Sequence, residues 1–223
     1  MKTFDERWEQ VHNEREWGKY PLEEVIRFVA RNFYRKDRAS TRILDVGCGG
    51  GAHTWFLARE GFRTVAFDGS KEAVRKASAL LRNEGLAPSF AVADAGELPF
   101  RSGTFHGIVD SGMLTANRTG GIRQILGEMF RVLMKEGKIF VTVMFRRGMT
   151  GYGQGEKLEE HTFRQIPSGP LAGIGTIHFF ERDEIIDLFR EAGFVETMVD
   201  LLARSDRGGT SQIEYFLAEA RKP

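Results

Sequence analysis

Apolar residues along this chain follow two rhythms that alternate. Short runs at Ile43–Val46, Thr64–Phe67, Phe90–Val92, Gly107–Val109 and Ile139–Phe145 predict strands. The run at Ile139–Phe145 is continuously apolar apart from Thr142, as expected of a strand covered on both faces. Between these runs the spacing is helical. Ala52–Glu60 ends at Gly61. Ser70 caps a helix whose apolar face is Ala73, Val74, Ala77, Leu80 and Leu81, with Gly85 as the stop. Ile122, Ile125, Leu126, Met129, Phe130 and Leu133 stripe a third helix up to Gly137, and Ile185, Ile186, Leu188, Phe189 and Ala192 a fourth up to Gly193. Ahead of them, Phe4–Trp17 reads as a polar helix with scattered aromatics. Leu22, Val25, Ile26, Val29 and Phe33 form another, with Pro21 at its first position. Arg35–Thr41 is a polar linker. Two strands close the chain, Glu196–Leu202 and Ile213–Ala218, with Arg207-Gly208-Gly209 as a hairpin-like return.

Alternating strands and helices predict right-handed crossovers and an open, mostly parallel α/β sheet with helices on both faces. Its ligand crevice lies at the carboxyl ends of the strands, where strand order reverses. One stretch breaks the rhythm. Arg146–Ile177 is rich in glycine, holds two prolines, and reads as a long structureless connection covering a substrate. The expected organisation is one domain over 1–223, with 1–40 as an N-terminal helical cap and 146–178 as a substrate-covering insertion.

Composition narrows the partners. The 223 residues are 41% hydrophobic and 28% charged, ordinary values for a globular chain. Net charge is +1, which gives no electrostatic reason to expect DNA or a membrane surface. No run approaches the ~20 apolar residues of a membrane span, and the charged start Met1–Glu9 is unlike a signal peptide. The single cysteine, Cys48, excludes an internal disulfide and fits a reducing compartment. A cytoplasmic protein, monomer or homodimer, with a small-molecule substrate is the expectation.

The chemistry starts at Arg42–Ala52, where a strand runs into Gly47-Cys48-Gly49-Gly50-Gly51. Glycines let a ligand approach the backbone, and the following helix presents free amides there. Gly47-x-Gly49-x-x-Ala52 also satisfies the nicotinamide-dinucleotide fingerprint. Asp45, two residues before the first glycine, occupies a position usually apolar in dinucleotide sites and suits a ligand amino group. The lesser alternative is a strand-end acid held by backbone amides. Asp68, followed by Gly69 and Ser70, lies about 20 residues past the turn, where an acid accepts from ribose hydroxyls or caps the next helix. Asp94, with Ala95 after it, can accept from an adenine amino group or serve as a turn acid.

Together these motifs resemble the class I S-adenosylmethionine-dependent methyltransferases, in particular their small-molecule members. The resemblance is carried by Leu44–Gly51, Asp68, Asp94-Ala95 with Leu98-Pro99-Phe100, and Phe105–Asp110, and covers about residues 40 to 145. It implies a three-layer Rossmann-like fold with a seven-stranded sheet of order 3-2-1-4-5-7-6, strand seven antiparallel. It also implies S-adenosylmethionine as cofactor. Asp45 and Gly47 would hold the methionine end, with Cys48, Gly49 and Gly51 completing the turn. Asp68, Gly69 and Ser70 would surround the ribose, and Asp94 and Ala95 the adenine. Asp110, Ser111 and Met113 would lie near the sulfonium, and Tyr20 in an aromatic segment closing over the cofactor. Asp110-Ser111-Gly112-Met113 lacks the Asp/Asn-Pro-Pro-aromatic motif of nucleic-acid amino methylation.

In-line methyl transfer needs positioning more than acid–base groups. Where a base is needed, the candidates are His178 first, then His161, Tyr152, Tyr20 and Asp110; His12, His53 and His106 are unpromising. No His/Cys cluster has metal-ligand spacing. An NAD-dependent oxidoreductase, a non-catalytic S-adenosylmethionine-binding protein, and a protein or RNA acceptor remain as alternatives.

Overall fold

The computed structural model describes residues 2–209 and 211–223. Its central sheet contains β1 (Arg42–Val46), β2 (Arg63–Asp68), β3 (Ser89–Val92), β4 (Phe105–Ser111), β5 (Leu133–Phe145), β9 (Val195–Asp206) and β10 (Ser211–Arg221). The strand order is β3-β2-β1-β4-β5-β10-β9. With β9 and β10 as the sixth and seventh strands of this sheet, that is the expected 3-2-1-4-5-7-6. β1 to β5 pair in parallel, and β10 runs antiparallel to both neighbours.

Register aligns the strand ends that matter. Val46 pairs with Phe67 on β2 and with Asp110 on β4, and Asp68 pairs with Val92 on β3. The carboxyl ends of four strands therefore open at one level, with the reversal of strand order between β1 and β4.

Alternation along each strand divides the core. Ile43, Val109 and Phe140 pack with Val25, Phe28, Val29 and Phe33 of α2 (Glu23–Phe33) and Phe56 and Leu57 of α3 (Ala52–Arg59). Leu44, Ile108 and Ile139 point the other way, onto Ile122, Ile125 and Met129 of α5 (Thr119–Val132) and Phe189 of α6 (Arg182–Glu191). The helix α4 (Lys71–Asn83) starts where predicted: the Ser70 hydroxyl accepts from the Ala73 amide at 3.0 Å.

Some expected boundaries move. α2 begins at Glu23, two residues past Pro21, and the polar N-terminal helix is the short α1 (Arg7–Glu14). α5 ends at Val132, not at Gly137. Its last carbonyls are met from outside the helix, by the Gly103 and Thr104 amides and by Lys222 Nζ, so no glycine cap is needed there. The stretch 146–178 is not structureless. It holds a three-stranded sheet of β6 (Glu156–Glu159), β7 (Thr162–Arg164) and β8 (Ile177–His178). Its apolar residues, including Met149, Phe163, Ile166, Leu171 and Ile174, gather with Phe145 and Phe179 into a core of their own.

The glycine turn fixes how α3 meets α4. Gly51 has φ +89°, and a methyl group there would lie 2.9 Å from Ala77 Cβ and 3.1 Å from its Cα. Gly51→Ala is expected to cost about 2–4 kcal/mol through strain and overpacking, read as a lower urea midpoint. An unchanged midpoint would contradict this close helix crossing.

Candidate functional site

A cavity of about 520 Å³ opens at the aligned strand ends. Its floor is built by residues that end or follow the strands. Gly47, Cys48, Gly49 and Gly50 come after β1, Asp68 ends β2 and Gly69 follows it, Ala93 and Ala95 come after β3, and Ser111 ends β4 with Met113 just beyond. The turns are tied to each other through the backbone. The Cys48 amide donates to Phe67 O at 2.9 Å, and the Ala93 amide to Asp68 O at 3.0 Å.

Among the described residues, Asp68 is the one buried acid that faces this cavity. Its Oδ2 accepts from the Gly49 amide at 2.9 Å and its Oδ1 from the Ser70 amide at 2.8 Å. Two oxygens offer about four acceptor sites, so two remain for a ligand. Burial pushes its carboxyl above the usual range, against the pull of those two amides and of His12.

Other expected cofactor contacts stand behind the cavity wall. Asp45 is buried and turns to the Thr54 hydroxyl at 2.5 Å; burial raises its pKa, opposed by His53 and Thr54. Gly51 serves the α3–α4 crossing, and Ser70 the cap of α4. Asp110 is fully buried and accepts from the Met113 and Leu114 amides at 2.8 and 3.0 Å, shaping the single helical turn Leu114–Ala116. Asp94 lies outside the lining as well, bonded to residues near the start of the chain. Of the expected set, Gly47, Cys48, Gly49, Asp68, Gly69, Ala95, Ser111, Met113 and Tyr20 come together on the cavity. Cys48 is buried, and desolvation with Asp68 and Asp45 nearby holds its thiol well up, so it fills space and does not attack.

Of the bases proposed from sequence, His178, His161, Tyr152 and Asp110 are absent from the cavity lining, and Tyr20 reaches only its rim. His178 is 1% exposed, held by Thr162 Oγ1 at 2.7 Å and Glu184 Oε1 at 3.0 Å, and its carbonyl accepts from Thr115. It joins β7 to α6 and is a structural residue. Tyr152 and His161 bond each other at 2.7 Å inside the insertion. Tyr20 stands 76% exposed on the rim, edge-on to Trp55. The histidines that do line the cavity are His12 and His53, both set aside on sequence grounds. His53 Nε2 accepts from the Leu22 amide at 3.3 Å, and burial lowers its pKa. His12 sits between the rings of Trp8 and Trp17. Burial lowers its pKa as well, although Asp68 and Glu9 pull upward.

Two covers close the cavity, and they are clasped together. Residues 3–20 form a strap across the strand ends. Arg7 donates to Gly173 O at 3.2 and 3.1 Å, Arg15 to Ala172 O at 3.0 Å, and Asp5 accepts from the amide and hydroxyl of Thr176, both at 3.0 Å. Lys76 of α4 holds the strap's other side through His12 O at 2.7 Å and Glu16 at 2.8 Å. The wall next to the insertion is apolar, made of Val143, Phe145, Leu171, Ile174 and Ile177. Val143, at φ +60°, sits in a bulge of β5 opposite Leu217 that re-aims the strand at this wall. The strap could have been suspected from Trp8 and His12, which stand one helical turn apart. Among the described residues no group of three or more His, Cys, Asp or Glu could hold a metal ion.

A family model described as a methyltransferase domain matches residues 43–137. Over that stretch the chain is similar to methyltransferase domains. The domain is 32% identical over 135 residues to a methyltransferase, GfsG, of Streptomyces halstedii, covering 57% of this chain and 47% of that protein. It is 26% identical over 134 residues to the chloroplastic tocopherol O-methyltransferase of Arabidopsis thaliana, covering 58% of this chain and 37% of the relative. The matched stretch therefore spans less than half of either relative. In fold, the domain is similar to a crystal structure of an S-adenosylmethionine-dependent methyltransferase from Methanosarcina mazei. That similarity has a TM-score of 0.73 at 23% identity, over 91% of this chain and 98% of the other. The Rossmann-like fold class is thereby shared.

The turn after β4 has a measurable electrostatic signature. Burial, despite the two amides and with Asp45 adding repulsion, pushes Asp110 up to about 7. The folded domain keeps this proton up to that pH, while the unfolded chain releases it near pH 4. Stability therefore falls as pH rises from about 4 to about 7. Asp110→Asn is expected to flatten that decline by up to about 4 kcal/mol, measured by urea unfolding across the window. An equal decline in both proteins would contradict the assignment.

Proposed function

We propose that this chain transfers a methyl group from S-adenosylmethionine to a small, largely apolar acceptor. The observation that carries the reading is Asp68: a buried carboxylate facing the cavity, fixed by the Gly49 and Ser70 amides, with acceptor sites left over. That arrangement suits the two vicinal hydroxyls of a ribose. The match of residues 43–137 to a methyltransferase-domain model supports the reaction class, and the relative named as a tocopherol O-methyltransferase supports a small-molecule acceptor.

S-adenosylmethionine supplies, when bound, a methyl group already activated on a sulfonium. The chain's own work is to bind, orient and exclude water. Gly47 and Gly49 let the methionine end rest against the backbone, Asp68 takes the ribose, and the lining around Ala93 and Ala95 takes the adenine. Ser111 and Met113 flank the reacting end. The apolar wall of Val143, Phe145, Leu171, Ile174 and Ile177 takes the acceptor. Clasping of strap to insertion keeps water from the methyl group. His12 is the cavity histidine whose Nδ1 is buried and without a hydrogen-bond partner among the described residues. It stands as the first candidate where an acceptor must lose a proton.

The reading carries a cytoplasmic location and no DNA partner, in line with the near-neutral charge. No helix among the described residues is long and apolar enough to cross a membrane.

Calorimetry with S-adenosylhomocysteine and with NAD tests the cofactor. S-adenosylhomocysteine is expected to bind and NAD not to, and Asp68→Ala is expected to weaken binding by about 1–3 kcal/mol, the cost of unpaired buried hydroxyls. Binding of NAD alone would replace this reading with the oxidoreductase. Cofactor binding without label transfer from methyl-labelled S-adenosylmethionine to any small molecule would favour a non-catalytic binding protein.

A further inference from the structure

The carboxylate expected to meet adenine is already fully engaged. Asp94 Oδ2 accepts from the Thr3 amide at 2.8 Å and the Phe4 amide at 3.2 Å. Its Oδ1 accepts from the Thr3 hydroxyl at 2.5 Å and the Gly96 amide at 2.8 Å. Two carboxylate oxygens have about four acceptor sites, so none remains. Asp68, with two amides bound, is the opposite case.

Position agrees with this count. Asp94 is absent from the lining of the main cavity, which passes through Thr3, Phe4, Ala93 and Ala95. It borders a separate groove on the outer side, with Lys2, Glu6 and Lys71. Three of the four donors on Asp94 come from two consecutive residues of the strap, Thr3 and Phe4. They fix the backbone at Thr3 and Phe4 and so fix where the Phe4 ring goes. That ring lies flush on Gly69, where a methyl group would come within 2.1 Å of Phe4 Cδ2. Gly69 directly follows Asp68, so the ring stands beside the ribose carboxylate, and it lines the same cavity as Ala93 and Ala95. The Ala95 amide makes no backbone hydrogen bond among the described residues and is available to a ring nitrogen.

We propose that Asp94 acts on the cofactor through the strap: it is a positioning residue that pins Thr3 and Phe4, and the Phe4 ring, not the Asp94 carboxylate, meets the adenine. This rests on the S-adenosylmethionine reading above. Gly69 then has a second role, as the seat of that ring. The adenine end is assembled only when the strap is docked, so cofactor recognition and strap closure are one event.

The test is calorimetric titration of S-adenosylhomocysteine and of its deaminated analogue, S-inosylhomocysteine. The proteins are the full chain and the variants Asp94→Asn, Phe4→Ala, the double variant, and Thr3→Val. Phe4→Ala is expected to weaken binding by about 5- to 150-fold, the range for loss of one stacked aromatic. Asp94→Asn should weaken binding too, and the double variant should be no worse than the poorer single one. The ratio of affinities for the two ligands should be the same in Asp94→Asn as in the unaltered chain. Thr3→Val leaves the carboxylate intact, guards against a folding defect at Asp94, and should lose about 2- to 10-fold. Direct contact predicts the reverse: Asp94→Asn erases the adenosyl preference, the Asp94 and Phe4 effects add, and Thr3→Val binds as well or better. Any of those results overturns the proposal while leaving the cofactor reading standing. Failure of the unaltered chain to bind S-adenosylhomocysteine would overturn both.

Discussion

The structure turns on one buried carboxylate that joins two backbone turns. Asp68 ends β2, yet its side chain accepts from Gly49 in the turn after β1 and from Ser70 in the turn before α4. Removing an acid from water is costly unless it is hydrogen-bonded, and here two amides offset the burial that raises its pKa. The consequence is mechanical as well as electrostatic. With Cys48 bonded to Phe67 and Ala93 to Asp68, the ends of β1, β2 and β3 are locked to a common level. The cavity floor is thus fixed before any ligand contact is made.

Above that floor the structure is assembled from two covers of different origin. The insertion supplies an apolar wall and has its own small core. The strap contributes few core residues and is held by polar contacts: Asp5 with Thr176, Arg7 and Arg15 with the carbonyls of Gly173 and Ala172, and Lys76 with the end of α1. Elements held by such exposed or half-buried hydrogen bonds open at lower cost than packed helices. Floor and strap therefore differ in stability, as a site needs if it is to admit a ligand and then shut out water. Four carboxylates at the strand ends divide the work by where they face and what holds them. Asp45 and Asp110 lie behind the cavity, on Thr54 of α3 and on the turn after β4, Asp94 is filled by the strap and Gly96, and Asp68 keeps acceptor sites toward the cavity.

The sheet order, the crossovers and the glycine turn were legible in the sequence because each rests on local patterns: apolar runs, helical stripes, and glycines at a strand end. Asp68 on the cavity followed in the same way. Lone-pair accounting was not legible, since Thr3 and Phe4 lie about ninety residues from Asp94 and nothing local marks the pair. His178 was misplaced for a related reason. Its position after a glycine-rich stretch pointed to the crevice, but Thr162 and Glu184 turn the ring away. The order within 146–178 was hidden by its glycines, although Met149, Phe163, Ile166 and Leu171 were spaced to make a core. His12 was set aside, since its burial between Trp8 and Trp17 and against Gly49 arises only when α1 docks.

The central claim is that glycine turn, strap and insertion enclose one cofactor cavity. Hydrogen exchange with and without S-adenosylhomocysteine measures it directly. The account predicts that the ligand slows exchange together at amides of Cys48–Gly51, of residues 3–17 and of residues 171–177, with α5 and α6 unchanged. Protection confined to another face of the sheet, or protection of the turn while strap and insertion exchange as before, would contradict it.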